Sequence, residues 1–172
     1  AGIYNSLDVL IGSSSAVSIH AQDAVEDIYF AKFDPSGNVL WARGAGGLES
    51  DYVYGVATDP AGNVYITGFF VSNPVTFGSI TLTTSPFSVY LAKYNSAGTV
   101  QWVVAPGIGG GFAVTTDACG DIYWTGDFGA NITFGSTTLL FSGGSADIFV
   151  AKYNAAGTAL WAMKAGGTGQ ES

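Results

Sequence analysis

The chain has 172 residues, of which 48% are hydrophobic and only 10% are charged, and this composition excludes a disordered segment. The formal net charge of −8 excludes the basic surface that nucleic-acid binding requires, and it disfavours an anionic membrane as a partner. The 25 glycines predict short strands and tight turns, the single cysteine rules out an intrachain disulfide, and no apolar run is long enough for membrane insertion as a spanning helix.

Residues 1–50 are predicted to form a partial unit with strands that we label B, C and D. The opening letters AGIY match the later AGNVY at 61–65 with one residue missing, so the chain starts in the turn before strand B. Strand C is DIYFAKF at 27–33. The next turn, DPSGN at 34–38, has an Asx residue first and a glycine fourth, which predicts a tight hairpin into a strand D that ends on Trp41.

Residues 51–107 are predicted to form a complete unit with four strands. We expect strands A to D at roughly 53–58, 63–70, 88–94 and 99–104, from the alternation of side chains and from turn residues between the strands. Strand C, SVYLAKY, repeats the C strand of the first unit, and strand D again carries a tryptophan, Trp102.

Residues 108–172 are predicted to form a third unit and the link to a following strand A. Its C strand, DIFVAKY at 147–153, has apolar residues on both faces, so both faces are expected to be covered. Antiparallel units of four strands that recur about every 60 residues describe the blades of an all-β propeller. The fold predicted is therefore about three propeller blades, the first without its A strand.

Two repeated phrases carry a family resemblance. The segments 147–161, DIFVAKYNAAGTALW, and 59–68, DPAGNVYITG, resemble the SBBP-type β-propeller repeat of bacterial secreted and cell-surface proteins. Both phrases recur in the same order, and the resemblance extends over nearly the whole chain. It implies a propeller fold and an extracellular or cell-surface location, and it transfers no catalytic residue.

Several residues recur at equivalent positions and are predicted to be structural. A lysine in strand C is expected to bury its stem beside a carboxylate or carbonyl, with an anion-binding ring as the alternative, and a tryptophan in strand D is expected to fill space between blades. Turn aspartates are expected to bond their own backbone, with calcium ligation as the alternative. These residues are Lys32, Lys93, Lys152, Trp41, Trp102, Trp161, Asp59 and Asp117.

No catalytic residue, metal or cofactor is predicted. His20 is the only histidine, and it is assigned to a different blade and the opposite rim from Cys119, so a Cys–His pair is rejected. The glycine-rich links between strands D and A, such as 107–111, lack the Gly-Lys-Ser/Thr ending of a phosphate loop.

A ligand site is predicted at the rim where the long B–C and D–A links meet. Eight aromatic residues are expected there, chiefly for packing between blades: Tyr52, Tyr54, Phe69, Phe70, Phe87, Phe112, Phe128 and Phe141. A carbohydrate platform is the functional alternative. The candidate ligand-binding residues are Phe70, Asn73, Thr83, Thr84, Ser85, Phe128 and Phe141.

Three blades are too few to close a ring, since closed propellers have four to eight. We expect either that the chain is part of a larger propeller or that further copies or a partner complete it. The leading functional hypothesis is a non-enzymatic extracellular or cell-surface module for structure, adhesion or protein–protein assembly. The alternative is a carbohydrate-binding module that uses the long links, and the third is an accessory propeller of a larger secreted enzyme.

Overall fold

The computed structural model describes residues 1–4, 8–11, 17–20 and 25–167, and the regular structure in these ranges is all β. The strands are β1 (Gly2–Tyr4), β2 (Asp8–Ile11), β3 (Val17–His20), β4 (Asp27–Phe33), β5 (Val39–Gly46), β6 (Asp51–Thr58), β7 (Val64–Phe70), β8 (Val75–Phe77), β9 (Ile80–Leu82), β10 (Ser88–Tyr94), β11 (Val100–Thr116), β12 (Ile122–Phe128), β13 (Ile132–Phe134), β14 (Thr137–Leu139), β15 (Asp147–Tyr153) and β16 (Ala159–Ala165). Within the described ranges, no helix has the length and hydrophobicity needed to cross a bilayer.

The long strands form three antiparallel, propeller-like blades. Blade 1 contains β1, β4 and β5, and blade 2 contains β6, β7, β10 and the first half of β11. Blade 3 contains the second half of β11 followed by β12, β15 and β16. The all-β fold of propeller-type blades predicted from the repeats is therefore confirmed.

Side chains at the first position of each hairpin turn close one rim of the blades. In blade 2, Asn95 Oδ1 accepts hydrogen bonds from the backbone N–H groups of Ala97 and Thr99, at 3.0 and 2.9 Å, and Gly98 adopts a φ of +77°. Only glycine adopts this left-handed backbone readily. The same Asx bond to the fifth turn residue recurs at Asp34, Asp59, Asp117 and Asn154. These five turns define the turn rim.

The opposite rim, which we call the link rim, is formed by segments 71–87 and 129–146 and the glycine-rich part of β11. Two of its segments fold into small hairpins, β8–β9 and β13–β14. Strand β8 also pairs with β5 of blade 1, through Ala45 opposite Phe77. The link of one blade therefore extends the sheet of the blade before it.

The glycine-rich segment 107–111 differs from its prediction. The sequence pattern predicts a link here, but β11 runs through the segment without interruption, with Gly107 paired to Val89 of blade 2 and Gly110 paired to Asp127 of blade 3. The absence of side chains permits this course, because a Cβ added at Gly109 would lie 2.1 Å from the carbonyl oxygen of Asp127. One strand therefore belongs to two blades, and its backbone stays hydrogen-bonded while it crosses between them.

The core consists of two layers, each between neighbouring blades. Strand β10 is buried along its whole length, as a strand covered on both faces must be. Its alternate residues divide between the layers: Tyr90, Ala92 and Tyr94 face blade 1, while Val89 and Leu91 face blade 3. The second layer is centred on Trp124, whose ring makes edge contacts with Phe134, Phe149 and Tyr153. Packing between blades, rather than within one sheet, therefore supplies the core.

Candidate functional site

An open cavity of about 500 Å³ lies on the link rim between blades 2 and 3. Its volume is within the range of ligand pockets in proteins. The lining is mostly aromatic and glycine, with one charged residue: Tyr54, Phe69, Phe87, Ile108, Gly109, Gly110, Phe112, Asp127, Gly129, Ser145 and Ala146. We call this feature the rim cavity.

Strand alternation directs the aromatic side chains of the rim cavity outward. Phe69 and Phe70 are adjacent in β7, so their rings point to opposite faces, and Phe69 lines the cavity while Phe70 is only 1% exposed. Tyr54 bridges two other rings of the cavity, with its centroid 6.0 Å from that of Phe69 and 6.2 Å from that of Phe112. The rings thus form one connected and largely exposed apolar surface.

A neighbouring tyrosine fixes one side of this ring cluster. Tyr52 stacks on Phe69 with a centroid distance of 4.7 Å, and its hydroxyl donates to Glu26 Oε2 at 2.7 Å. The hydrogen bond to the carboxylate raises the pKa of the Tyr52 hydroxyl, because it favours the protonated phenol. Tyr52 therefore remains a neutral donor, anchored to Glu26 while its ring supports Phe69.

Phe87 enters the rim cavity from a constrained backbone. It is the one non-glycine residue with positive φ in the described part of the chain, at +59°, and its carbonyl oxygen accepts a hydrogen bond from the N–H group of Gly109 at 2.9 Å. A left-handed backbone costs an L residue roughly 1–2 kcal/mol. The fold holds the exposed Phe87 ring at the mouth of the cavity despite this cost, which is a feature typical of functional positions.

Asp127 is the charged residue in the lining of the rim cavity. Its Oδ1 accepts a hydrogen bond from the N–H group of Gly110 at 2.8 Å, which fixes the side chain at the end of β12. The cavity thus offers apolar rings together with one positioned carboxylate. Such a site can bind an apolar or cationic side chain, or the face of a sugar ring with a hydroxyl directed at Asp127.

None of the seven candidate ligand-binding residues predicted from the sequence lines this cavity. Phe70 and Phe128 are core residues, 1% and 0% exposed, so a ligand in solvent would not reach their rings. Phe141 is half-buried and packs its ring edge against Phe128, with a centroid distance of 6.5 Å. Asn73, Thr83 and Ser85 are exposed and Thr84 is half-buried, on segment 71–87, and none of them lines the rim cavity.

Sequence reasoning assigned Tyr54, Phe69, Phe87 and Phe112 to this rim but did not select them as the site, and it omitted Ile108 and Asp127. The adjacent pair Phe69–Phe70 contained a usable signal, because only one of two neighbouring strand residues can face the core. Ile108 and Asp127 are harder to predict from the sequence, because they reach the cavity only through the pairing of β11 with β12.

The recurring lysine and tryptophan fasten each blade to the next. In blade 2, Lys93 Nζ and Trp102 Nε1 both donate to the carbonyl oxygen of Ala155 in blade 3, at 2.7 and 3.2 Å. The Lys93 ammonium also lies 5.4 Å from the ring centroid of Tyr65. The Trp102 ring covers Gly157, where an added Cβ would come within 2.9 Å of the ring. We call this pair of donors the clasp.

The same clasp joins blade 1 to blade 2. Lys32 Nζ and Trp41 Nε1 donate to the carbonyl oxygen of Ser96, at 3.4 and 3.0 Å. The Trp41 ring covers Gly98, where an added Cβ would again meet the ring at 2.9 Å. Both acceptors occupy the second position of a C–D turn, so the interaction repeats with the blades.

In blade 3 the equivalent lysine has a different partner. Lys152 Nζ forms an ion pair with Asp121 at 2.9 Å and lies 3.7 Å from Asp117. The hydrogen bond to Asp121 raises the pKa of Lys152 further above its usual value. Trp161 makes an edge contact with Tyr123, at a centroid distance of 6.3 Å, and within the described part of the chain its Nε1 donates no hydrogen bond.

The turn aspartates bond within their own turns. Asp59 accepts hydrogen bonds from Asn63 and from the Tyr65 hydroxyl. Burial alone would raise the pKa of Asp59, but these hydrogen bonds outweigh it and lower the pKa. Asp117 accepts from the backbone N–H groups of Cys119 and Asp121, which likewise outweigh desolvation and lower its pKa. Among the described residues, no group of three His, Cys, Asp or Glu side chains could hold a metal ion.

Comparison with known proteins gives two matches. An uncharacterized WD repeat-containing protein of Acanthamoeba polyphaga mimivirus is 30% identical over 171 aligned residues, which cover 84% of this chain and 12% of that protein. The chain thus spans about an eighth of this relative's length. Residues 40–68 match the family described as beta-propeller repeat, SBBP, and they extend from β5 in blade 1 to β7 in blade 2. The chain therefore carries a β-propeller repeat of the SBBP family.

Proposed function

We propose that this chain is a non-enzymatic protein-interaction module that binds its partner through the rim cavity. The observation that carries the proposal is an aromatic cluster around the cavity, in which Tyr54, Phe87 and Phe112 are exposed and Phe69 is half-buried. Aromatic residues are enriched in protein–protein interfaces, where a few residues seated in pockets supply most of the binding energy. A WD repeat-containing relative is compatible with this role.

We further propose that the module acts outside the cell or on the cell surface, in adhesion or in assembly with another protein. The resemblance to repeats of secreted proteins supports this location, and the net charge of −8 favours a protein partner over nucleic acid. Immunolabelling of intact and permeabilised cells that produce the protein tests this location. Equal labelling in the two preparations would support an external location, and signal confined to permeabilised cells would contradict it.

A peptide-display selection tests the proposed interaction. A library of random peptides is selected on the immobilised chain, and the affinities of enriched peptides are measured by calorimetry. We expect Phe112→Ala to weaken the enriched peptides at least tenfold, because it removes an exposed ring from the cavity wall. Leu140→Ala is the control, since this exposed apolar residue lies outside the cavity. Peptides that bind equally to both variants would contradict the proposal.

The second candidate function is carbohydrate binding at the same cavity. The exposed rings of Tyr54 and Phe112 beside the carboxylate of Asp127 favour it, because sugar faces stack on rings and hydroxyl groups donate to carboxylates. A glycan array probed with the wild-type chain and with Phe112→Ala separates the candidates. Binding of a glycan that depends on Phe112, without any peptide that depends on it, would favour this second function.

A further inference from the structure

The rim cavity combines aromatic rings with a carboxylate that keeps one oxygen unused. Asp127 is half-buried in the cavity wall, and its Oδ1 accepts the hydrogen bond from the Gly110 N–H group at 2.8 Å. Its Oδ2 has no hydrogen-bond or ion-pair partner among the residues that the structure describes. A ligand in the cavity can therefore donate to this second oxygen without displacing a contact of the fold.

The carboxylate and an aromatic ring border the same glycine. A Cβ placed on Gly110 would lie 3.1 Å from Asp127 Oδ1 and also 3.1 Å from the Cε1 atom of the Phe112 ring. The ring of Tyr54 lies next to that of Phe112, with a centroid distance of 6.2 Å and an angle of 51° between the ring planes. A group seated over the bare backbone of Gly110 would therefore contact the carboxylate and a ring together.

The chain supplies no cation of its own to Asp127. None of its five Lys and Arg side chains lines the rim cavity, although all five lie in the described ranges. Each is engaged elsewhere: Lys32 at Ser96, Arg43 at Gly98, Lys93 at Ala155, Lys152 at Asp121 and Lys164 at Asp147. The net charge of −8 adds a long-range attraction for cationic ligands and a repulsion of anionic ones.

We propose that the rim cavity receives an arginine side chain of the protein partner, whose guanidinium stacks on Phe112 and donates to Asp127 Oδ2. This inference rests on the protein-interaction function proposed above and names the residue that the cavity recognises. A purely apolar side chain would cover the Asp127 carboxylate without pairing it, which costs binding energy. A cationic side chain pairs the carboxylate and gains attraction to the rings at the same time.

Arginine fits this arrangement better than lysine. Its planar guanidinium can lie flat on a ring while its N–H groups donate in plane to a carboxylate, and it is more weakly hydrated than an ammonium group. Arginine is also enriched among the residues that dominate binding energy in protein interfaces. The cavity is built from blades 2 and 3, each with its four strands, so the binding groups are all present in this chain.

The peptides enriched by display on the wild-type chain are the probes that test this inference. Those that depend on Phe112 should share an arginine. Each is synthesised again with citrulline at that position, because citrulline keeps the shape of arginine and lacks its charge. We expect citrulline to weaken binding to the wild type by about tenfold or more, as measured by calorimetry. Lysine at the same position should also weaken binding.

Asp127→Asn identifies the group that the arginine contacts. The asparagine keeps an oxygen for the Gly110 N–H group and removes the charge, so arginine and citrulline peptides should bind this variant within about threefold of each other. The citrulline peptide should bind the variant and the wild type alike if the cavity is intact. Glu49→Gln is the matched control, because it removes one charge at an exposed position outside the cavity. It should preserve the preference for arginine.

The outcomes separate this inference from the proposed function. Peptides that depend on Phe112 but share no arginine would overturn the inference and leave the proposed function intact. The same holds for a preference for arginine over citrulline that persists in Asp127→Asn, and for lysine peptides that bind as tightly as arginine peptides. A selection that yields no peptide dependent on Phe112 would contradict the proposed function, and the inference with it.

Discussion

Asp51 is a carboxylate that the fold keeps away from water. It is fully buried at the start of β6, where its Oδ1 accepts hydrogen bonds from the backbone N–H groups of Val71 and Ser72, at 3.0 and 3.1 Å. Its Oδ2 has no hydrogen-bond partner among the described residues. Desolvation raises the pKa of Asp51, and the hydrogen bonds from Ser72 and Val71 offset this effect only in part. The ionised carboxylate therefore costs stability at neutral pH.

This cost predicts an unusual pH dependence. The folded carboxyl group takes up its proton at a higher pH than the unfolded one, so folding is favoured as the pH falls from neutral toward about 4. The free energy of unfolding of the wild type, relative to that of Asp51→Asn, should rise over this interval. Urea titrations of both proteins at a series of pH values measure the difference.

Asp34→Asn is the control, for which we expect the opposite dependence of stability on pH. The hydrogen bond from the Asn38 side chain lowers the pKa of Asp34, so the stability contributed by this carboxylate is present above pH 4 and is lost as the pH falls through its lowered folded value. Relative to Asp34→Asn, the wild type should lose stability on acidification. The difference in unfolding free energy between the wild type and Asp51→Asn should not stay constant or decrease as the pH falls. Either result would contradict the raised pKa of Asp51.

The side chains that form the rim cavity show how far sequence reasoning extends at the residue scale. The turn residues were predicted because Asx and glycine act locally, within five residues. The choice between Phe69 and Phe70 depended instead on which face of β7 meets blade 1, and this is a long-range property of the packing. The alignment of the repeats therefore predicted an aromatic rim, and only the strand register identified the exposed rings.

Strand β11 shows the limit of sequence reasoning at the scale of the element. Glycine runs weaken the strand signal, because glycine has no side chain to alternate between faces. In this strand the glycines are required because neighbouring atoms leave no room for a side chain. A Cβ added at Gly111 would lie 2.0 Å from Thr67 Oγ1 and 2.9 Å from Trp124 Nε1. The sequence pattern indicated a loop where the packing of two blades demands an extended chain without side chains.

The close approach at Gly111 predicts a stability effect. Gly111→Ala should destabilise the chain by about 1–3 kcal/mol, because the new methyl group must displace Thr67 or Trp124 in a filled layer. Gly129→Ala is the matched control, since its nearest neighbour to an added Cβ is the carbonyl oxygen of Ser145 at 3.7 Å. Urea unfolding monitored by tryptophan fluorescence measures both variants. If the urea unfolding curves of Gly111→Ala and Gly129→Ala had the same midpoint and slope, the packing described between blades 2 and 3 would be contradicted.

At the scale of the whole molecule, the two rims have different structural roles. The turn rim carries the Asx hairpins and the acceptors of the clasps, which hold the blades in register. The link rim carries the aromatic cavity and the segments that differ most between blades. This division was predictable from the repeats, because the short turns recur closely in sequence while the links vary. The cavity itself was not, because it is assembled from two blades.

In the function that we propose, the link rim binds the partner and the turn rim does not. The most direct test is a titration of the ¹⁵N-labelled chain with the peptide selected by display, followed by ¹H–¹⁵N correlation spectra. We expect the largest shift changes at the amides of Tyr54, Phe69, Gly110 and Phe112, which surround the rim cavity. Changes concentrated at Gly62, Gly98 and Gly120 on the turn rim, with the cavity amides unmoved, would contradict the account.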